Sequence, residues 1–303
     1  MNLTKVGQDA HGKAIELHYC DYGQGDPILL IHGWPLSAAS WEYQLAELPL
    51  RNKRVVAYDR RGFGYSDKPW DGYDYDTFAD DLKAVLDTLD LQNVTLVGFS
   101  MGGGEVARYM SRHNGARVSR VMFVSAVTPY LLKTDDNPNG VDKSVFDEMI
   151  ENLGKDRPGF LSDFGKKFYG AGPISKPVSQ ATLDWSQSLA LPASPRATTA
   201  CVKAWSETDF RGDLATIKVP AVFIHGDADK TVPLANSAEQ AVKLVPNAQL
   251  VVYEGEPHGL NVTAQDRLNR DILTFVNGQP VSEDFSEGET VADRDDSDNR
   301  STY

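Results

Sequence analysis

Cysteine is nearly missing from this 303-residue chain, in which Cys20 and Cys201 are the only two. Thiols so far apart make neither a disulfide framework nor a zinc site, which excludes a small stapled fold. Cys20 follows the alternating stretch IELHY and is expected at a strand end as a small buried hydrophobe. Long hydrophobic runs are missing too. No stretch reaches the roughly 18 apolar residues of a membrane span. The opening MNLTKVGQDAHGK has no apolar core of the signal-peptide kind, so a cytoplasmic protein is expected. Positive charge is scarce: 30 Lys and Arg stand against 43 Asp and Glu. A net charge of −13 argues against nucleic acid and anionic membrane as partners. Clusters of residues with metal-ligand spacing are absent as well, and no metal or other cofactor is expected.

Much of the negative charge sits at one end. Residues 283–303 hold eight acidic side chains against two arginines, and almost no large apolar ones. Such a segment cannot bury enough surface to offset its ordering entropy. Residues 280–303 are therefore expected to be a disordered acidic tail outside the fold. The rest, at 41% hydrophobic and 24% charged over the whole chain, has the composition of an ordinary globular protein. Its length suits one large α/β unit with an insertion.

What is present is a rhythm. KAIELHYC alternates like a half-exposed antiparallel strand. PILLIHG and KRVVAYD are continuous apolar runs, as in strands covered on both faces. Between them, SAASWEYQLAELPL has helical spacing behind a serine cap. In YDYDTFADDLKAVLDTLDL, Phe78, Leu82, Val85, Leu86 and Leu89 form one apolar helix face. The strand NVTLVGF, the helix MGGGEVARYMSRH and the strand VSRVMFVSAV follow. This alternation implies parallel strands joined by crossover helices. It breaks between residues 127 and 217, a stretch rich in Phe, Trp, Pro and Gly that reads as several helices. It then resumes with VPAVFIHGD, a helical LANSAEQAVKLV, the strand AQLVVYEG and a last helix. The expectation is an α/β core of residues 1–126 and 218–279, with a mostly parallel sheet, flanking helices and a helical cap insertion at 127–217.

The chemistry concentrates at LVGFSMGGGEV. Gly98-Phe99-Ser100-Met101-Gly102 is a G-x-S-x-G pentapeptide between a strand and a helix. A serine presented above a sheet must sit on a tight, strained turn, and neighbours two positions away must lack a Cβ. Gly103 and Gly104 weaken the new helix by roughly 1 kcal/mol each, so close packing is expected there. The helix start favours negative charge beside Ser100, and the Met101 N–H would be one donor to an oxyanion. The G-x-G-x-x-G and P-loop patterns of nucleotide sites are missing.

A serine nucleophile needs a base and a group to orient it. Of six histidines, His258 in YEGEPHGLN falls just after the last apolar strand, where loops gather, and is the strongest candidate. His11, His18 and His113 read as surface or cap residues, and His32 and His225 as local hydrogen bonders. The acid comes from IHGDADKTVP, where Asp227 could stabilise its own turn and Asp229, one step further out, is favoured. The order Ser, Asp, His follows α/β-hydrolase logic. In HGWPL the Trp34 N–H can be the second oxyanion donor, because Pro35 has none.

Taken together, HGWPLSAASW, YDRRGFGYSDKP, GFSMGGGEVARY, FIHGDADKTVP and GEPHGLN resemble the cofactor-free haloperoxidase and arylesterase (perhydrolase) branch of the α/β-hydrolases. The resemblance runs from about residue 13 to 277. It implies a triad of Ser100, Asp229 and His258, with an oxyanion hole from the N–H groups of Trp34 and Met101. It also implies a peroxide-associated proline at Pro35, beside Trp34 in the substrate pocket. The implied activity is transfer of an acyl group from a small carboxylic acid or ester, through serine, to water or hydrogen peroxide. The resulting peracid oxidises halide in solution without haem or metal. A homo-oligomer is also implied. Asp59, Arg60 and Arg61 in the turn-rich YDRRGFGYS receive no catalytic role. Aromatics of the insertion (Tyr130, Phe146, Phe160, Phe164, Phe168 and Trp185) are expected to line an apolar pocket or the core. A lactonase, amidase or carbon–carbon hydrolase on the same residues is the alternative. A low-turnover binding protein is the reading from another class. Ser100 argues against the aspartate nucleophile of dehalogenases and epoxide hydrolases.

Overall fold

The computed structural model describes residues 2–282, so the acidic segment from 283 onward lies outside the described residues. Eight strands form one sheet: β1 (Asn2–Gln8), β2 (Ala14–Tyr22), β3 (Asp26–Ile31), β4 (Lys53–Tyr58), β5 (Val94–Phe99), β6 (Val118–Val124), β7 (Ala221–Gly226) and β8 (Gln249–Tyr253). Their spatial order is β1-β2-β4-β3-β5-β6-β7-β8. The pairs β1–β2 and β2–β4 are antiparallel and every later pair is parallel. The central strands β5 and β7 are buried along their whole length, which is why their sequences are apolar without alternation. β1 was not expected. Thr4 is its one fully buried side chain, so its sequence carries no apolar period to read.

The helices are α1 (Glu42–Glu47), α2 (Tyr75–Thr88), α3 (Met101–Arg112), α4 (Lys143–Phe168), α5 (Gln180–Ala190), α6 (Pro195–Glu207), α7 (Arg211–Leu214), α8 (Ala238–Ala241), α9 (Leu260–Thr263) and α10 (Gln265–Val276). In α2 the Asp74 carboxylate caps the Thr77 N–H at 2.9 Å, and Phe78, Leu82, Val85 and Leu86 are buried as their spacing requires. Two expected helices are broken. SAASWEYQLAELPL divides into a 3₁₀ turn at Ala38–Trp41, the short α1, and a second 3₁₀ turn at Leu48–Arg51. Ser37 makes no side-chain cap, and Pro49 has no N–H to continue the ladder. In LANSAEQAVKLV, Ser237 leaves helical geometry and gives its hydroxyl to the Pro233 carbonyl at 2.8 Å. Cys20 also differs from expectation: it lies within β2 and is only half-buried.

Between β6 and β7 the chain runs through α4 to α7. Hydrogen bonds tie this excursion to the loops at the carboxyl ends of the strands. The Trp34 indole donates to the Thr198 carbonyl at 3.0 Å, Ser194 N–H to the Gly62 carbonyl at 2.8 Å, and Gly259 N–H to the Phe168 carbonyl at 2.9 Å. α4 bends at Asp156, whose backbone is non-helical two residues before Pro158. The Asp156 carboxylate caps the second half by accepting the Gly159 N–H at 3.0 Å. That second half turns Phe160, Phe164 and Phe168 toward the sheet edge where the loops meet. Among the described residues, no helix is long and apolar enough to cross a membrane.

Candidate active site

Ser100 occupies the one-residue corner between β5 and α3, with φ 53° and ψ −117°. A non-glycine residue there stores of order 1–3 kcal/mol of backbone strain and holds it only if its surroundings insist. They do. Ser100 N–H donates to the Val124 carbonyl at 2.8 Å, and its carbonyl accepts from Gly103 and Val127 at 3.0 and 3.2 Å. The flanking glycines are required by contact. A Cβ on Gly98 would stand 2.5 Å from the Gly102 carbonyl oxygen, and one on Gly102 would stand 2.5 Å from that of Ile31. At Gly103 and Gly104 added carbons would strike Ala126 at 2.4 Å and Phe210 at 2.5 Å, the close packing their helix cost implied. Gly102→Ala is therefore expected to cost about 1–3 kcal/mol of stability, because backbone cannot yield as a side chain does. Urea unfolding of wild type and variant measures it; no change in midpoint would contradict the contact.

His258 Nε2 lies 2.9 Å from the Ser100 hydroxyl oxygen, and His258 Nδ1 lies 2.6 Å from Asp229 Oδ2. The ring is held from two sides, edge-on by Phe168 at 4.8 Å between centroids and obliquely by Phe99 at 5.2 Å. Gly259 lets α4 reach this loop, since a Cβ there would meet the Tyr169 ring at 2.5 Å. Asp229 Oδ1 accepts the N–H groups of Thr231 and Val232, each at 2.8 Å. Burial pushes its carboxyl up, but His258 and His225 pull harder and leave it well below the usual carboxylate range. Asp227 goes elsewhere and accepts the Gly255 N–H at 2.7 Å.

His225 is fully buried beside this relay. Its Nε2 is 2.8 Å from the Val232 carbonyl and 3.2 Å from Asp229 Oδ2, so Nε2 carries the proton and points it at both acceptors. His32 is buried as well. Its Nδ1 donates to the Gly33 carbonyl at 2.9 Å while its Nε2 accepts the Arg60 N–H at 3.0 Å. Burial first, and Arg60 second, depress its pKa to about 3, so the ring stays neutral. The remaining histidines, His11, His18 and His113, are distant from Ser100 in role: His18 and His113 bond Asp59 and Asp80.

Trp34 and Met101 line the cavity that contains Ser100, and neither backbone N–H donates to another group among the described residues. The cavity is about 350 Å³. Phe146, Phe160 and Phe164 line it, as the aromatic composition of the insertion suggested. Tyr130 and Trp185 do not. Phe168 packs on His258, and Trp205, which sequence reasoning passed over, forms a wall next to Trp34 at 6.0 Å. Pro35 does not reach the cavity either. Its ring borders a narrow neighbouring space with Leu161, Phe164, Phe168 and Ser186. Pro35 is expected in the substrate pocket beside Trp34, and the two side chains of that dipeptide border different spaces.

One feature of this region was unforeseen. Arg60 Nε donates to Glu105 Oε2 at 2.7 Å, and both side chains are buried completely. Arg60 Nη2 also donates to the His32 carbonyl at 2.9 Å, immediately before the Gly33-Trp34 turn. A carboxylate inside the otherwise apolar MGGGEVA was the only signal for it. Among the described residues no group of three or more His, Cys, Asp or Glu side chains could hold a metal ion.

The family described as alpha/beta hydrolase fold matches residues 26–265. A putative non-heme chloroperoxidase of Synechocystis sp. is 45% identical over 277 residues, covering 91% of this chain and all of that one. A bifunctional esterase/perhydrolase of Acinetobacter calcoaceticus is 38% identical over 86% of this chain and 96% of its own. The crystal structure of a bromoperoxidase from Bacillus anthracis superposes with a TM-score of 0.87 at 45% identity, over 91% of this chain and 99% of that one.

Proposed function

Because this chain belongs to the α/β-hydrolase family, on the branch of the non-heme haloperoxidases, we propose that it is a serine esterase that also makes peracids. Ser100 is the nucleophile, His258 its base and Asp229 the group that orients and stabilises the imidazolium. The N–H groups of Trp34 and Met101 receive the oxyanion. The observation that carries this reading is the unbroken path from Asp229 through His258 to Ser100, at 2.6 and 2.9 Å, on the floor of an apolar cavity.

The hydroxyl proton passes to His258 Nε2 as the serine oxygen adds to the acyl carbon. The two amides hold the resulting oxyanion, each worth about 3–4 kcal/mol of barrier. His258 then returns the proton to the leaving group, an alcohol from an ester or water from an acid. The acyl-serine is attacked by water to give an acid, or by hydrogen peroxide to give a peracid. His258 takes the attacker's proton and gives it back to Ser100. Residues 127–217 serve as a cap over the core of 1–126 and 218–279, and set which acyl group fits.

Hydrolysis of p-nitrophenyl acetate and peracid formation from acetate with hydrogen peroxide, run in parallel, test this reading. Both activities are expected, and both should stop when a serine-directed phosphonate labels Ser100. Peracid formation that survives complete labelling would overturn the shared acyl-serine. Asp229→Asn should lower kcat by roughly 10⁴-fold while the fold persists, since the histidine loses its orienting carboxylate. Stopped-flow ester hydrolysis measures the loss, and a change below tenfold would assign the orienting role elsewhere.

A further inference from the structure

The cavity that holds Ser100 opens beside a second, surface cavity bordered by Lys166, Gly170 and Ile174. Asp163, Lys167 and Lys230 line both spaces and form the rim between them. Asp163 is the single carboxylate among the described residues lining either one, and Lys166 bridges it at 2.8 Å. The side chains of Lys167 and Lys230 are exposed, and their ammonium groups make no hydrogen bond or ion pair among the described residues. The rim therefore presents two uncompensated ammonium groups on a chain whose net charge is −13.

The walls behind the rim explain what such a pair can select. Phe160, Phe164 and Lys167 follow one another at four- and three-residue steps on one face of α4. Phe164 packs edge-on against Trp34 at 5.1 Å between ring centroids. From the oxyanion tryptophan outward, this face is apolar as far as the rim, where Asp163, paired with Lys166, stands beside Lys167. Across the opening, Lys230 directly follows Asp229, and Thr231, Val232 and Pro233 continue the wall. Among the described residues, Lys167 and Lys230 are the cations that line this cavity. An anion is costly there and favourable only at the rim, where low-dielectric walls strengthen the field of the two lysines.

Resting on the serine esterase reading, we infer that the site prefers esters whose acyl group carries a second, remote carboxylate: half-esters of short dicarboxylic acids. The ester lies at Ser100, the methylene spacer along Phe164 and Val232, and the free carboxylate between Lys167 and Lys230. These lysines determine specificity and take no part in bond making.

The test compares monomethyl esters of succinic, glutaric, adipic and pimelic acids with the corresponding methyl esters ending in a neutral amide. For wild type at low ionic strength, kcat/KM should favour the carboxylate over its amide isostere by about three- to tenfold at the best spacer length. The preference should shrink in 0.5 M salt by the ordinary screening of exposed charge. The double variant Lys167→Gln/Lys230→Gln should lose it, its ratio of carboxylate to amide kcat/KM falling to about one. Equal values for the two series in wild type overturn the inference, as does a preference that survives in the double variant. A wild type that hydrolyses p-nitrophenyl acetate but shows no preference separates this failure from failure of the esterase reading. A wild type inert to all these esters removes both.

Discussion

Ser100→Ala is expected to lower ester hydrolysis and peracid formation together by about 10⁴- to 10⁶-fold, leaving the protein folded. The loss is large because, among the described residues, the hydroxyl is the group on the cavity floor that both touches His258 Nε2 and adjoins the Trp34 and Met101 amides. On the proposed mechanism alanine removes the nucleophile and leaves the two amide donors in place, so residual catalysis over water sets the floor. Stability should change by less than about 1 kcal/mol. The corner is held through backbone bonds to Val124, Gly103 and Val127, which alanine keeps along with the positive φ. Circular dichroism and thermal unfolding establish the fold, and burst and steady-state kinetics on p-nitrophenyl acetate establish the loss. Activity within tenfold of wild type would remove Ser100 from the mechanism.

Glu105→Gln should give the largest effect on stability, a loss of about 3–5 kcal/mol. Burial alone pushes the Glu105 carboxyl well above its ordinary range and the Arg60 guanidinium below its own. The 2.7 Å contact between them opposes burial and favours the charged form of both. Among the described residues Glu105 Oε1 and Arg60 Nη1 have no hydrogen-bond partner, so no neighbour there takes over when one charge is deleted. Glutamine keeps the shape and strands the guanidinium in an apolar site. Removing both charges, as in Arg60→Met/Glu105→Leu, should restore most of the stability, because two desolvated ions disappear together. The double variant should still lose activity, since the Arg60 bond to the His32 carbonyl at the base of the Gly33-Trp34 turn is gone. Urea unfolding of the single and double variants decides the matter. A Glu105→Gln midpoint equal to wild type would mean that Glu105 is protonated and the pair is neutral on one side.

The local demands of this protein were legible in its residues. A strand covered on both faces reads as a nearly continuous apolar run, and β3 and β4 announce themselves in that way in PILLIHG and KRVVAYD. A serine forced onto a strand-to-helix corner must have neighbours without a Cβ, and Gly98 and Gly102 are spaced accordingly. β1 left no such mark, because an edge strand with one buried side chain needs none. The two broken helices show the reverse case, where helical spacing was present but Pro49 and Ser237 withheld the backbone geometry.

Partnership between distant side chains is another matter. Asp227 and Asp229 differ by one pleat, and only the packed loops show the first bonding Gly255 and the second facing a histidine 29 residues away. Ser100 and His258 are 158 residues apart, and the lining of their cavity comes from a bent helix whose direction depends on Asp156 and Pro158. Pro35 adjoins Trp34 in sequence and borders a different space. The buried pair of Arg60 and Glu105, like the open pair of Lys167 and Lys230, exists because separate elements were packed together. Residue type and spacing determined the sheet, the corner and the candidate nucleophile, since each answers a steric rule within a few residues. Which acid, which walls and which charges share the cavity was decided by tertiary packing, because these contacts join loops and helices that the chain order leaves far apart.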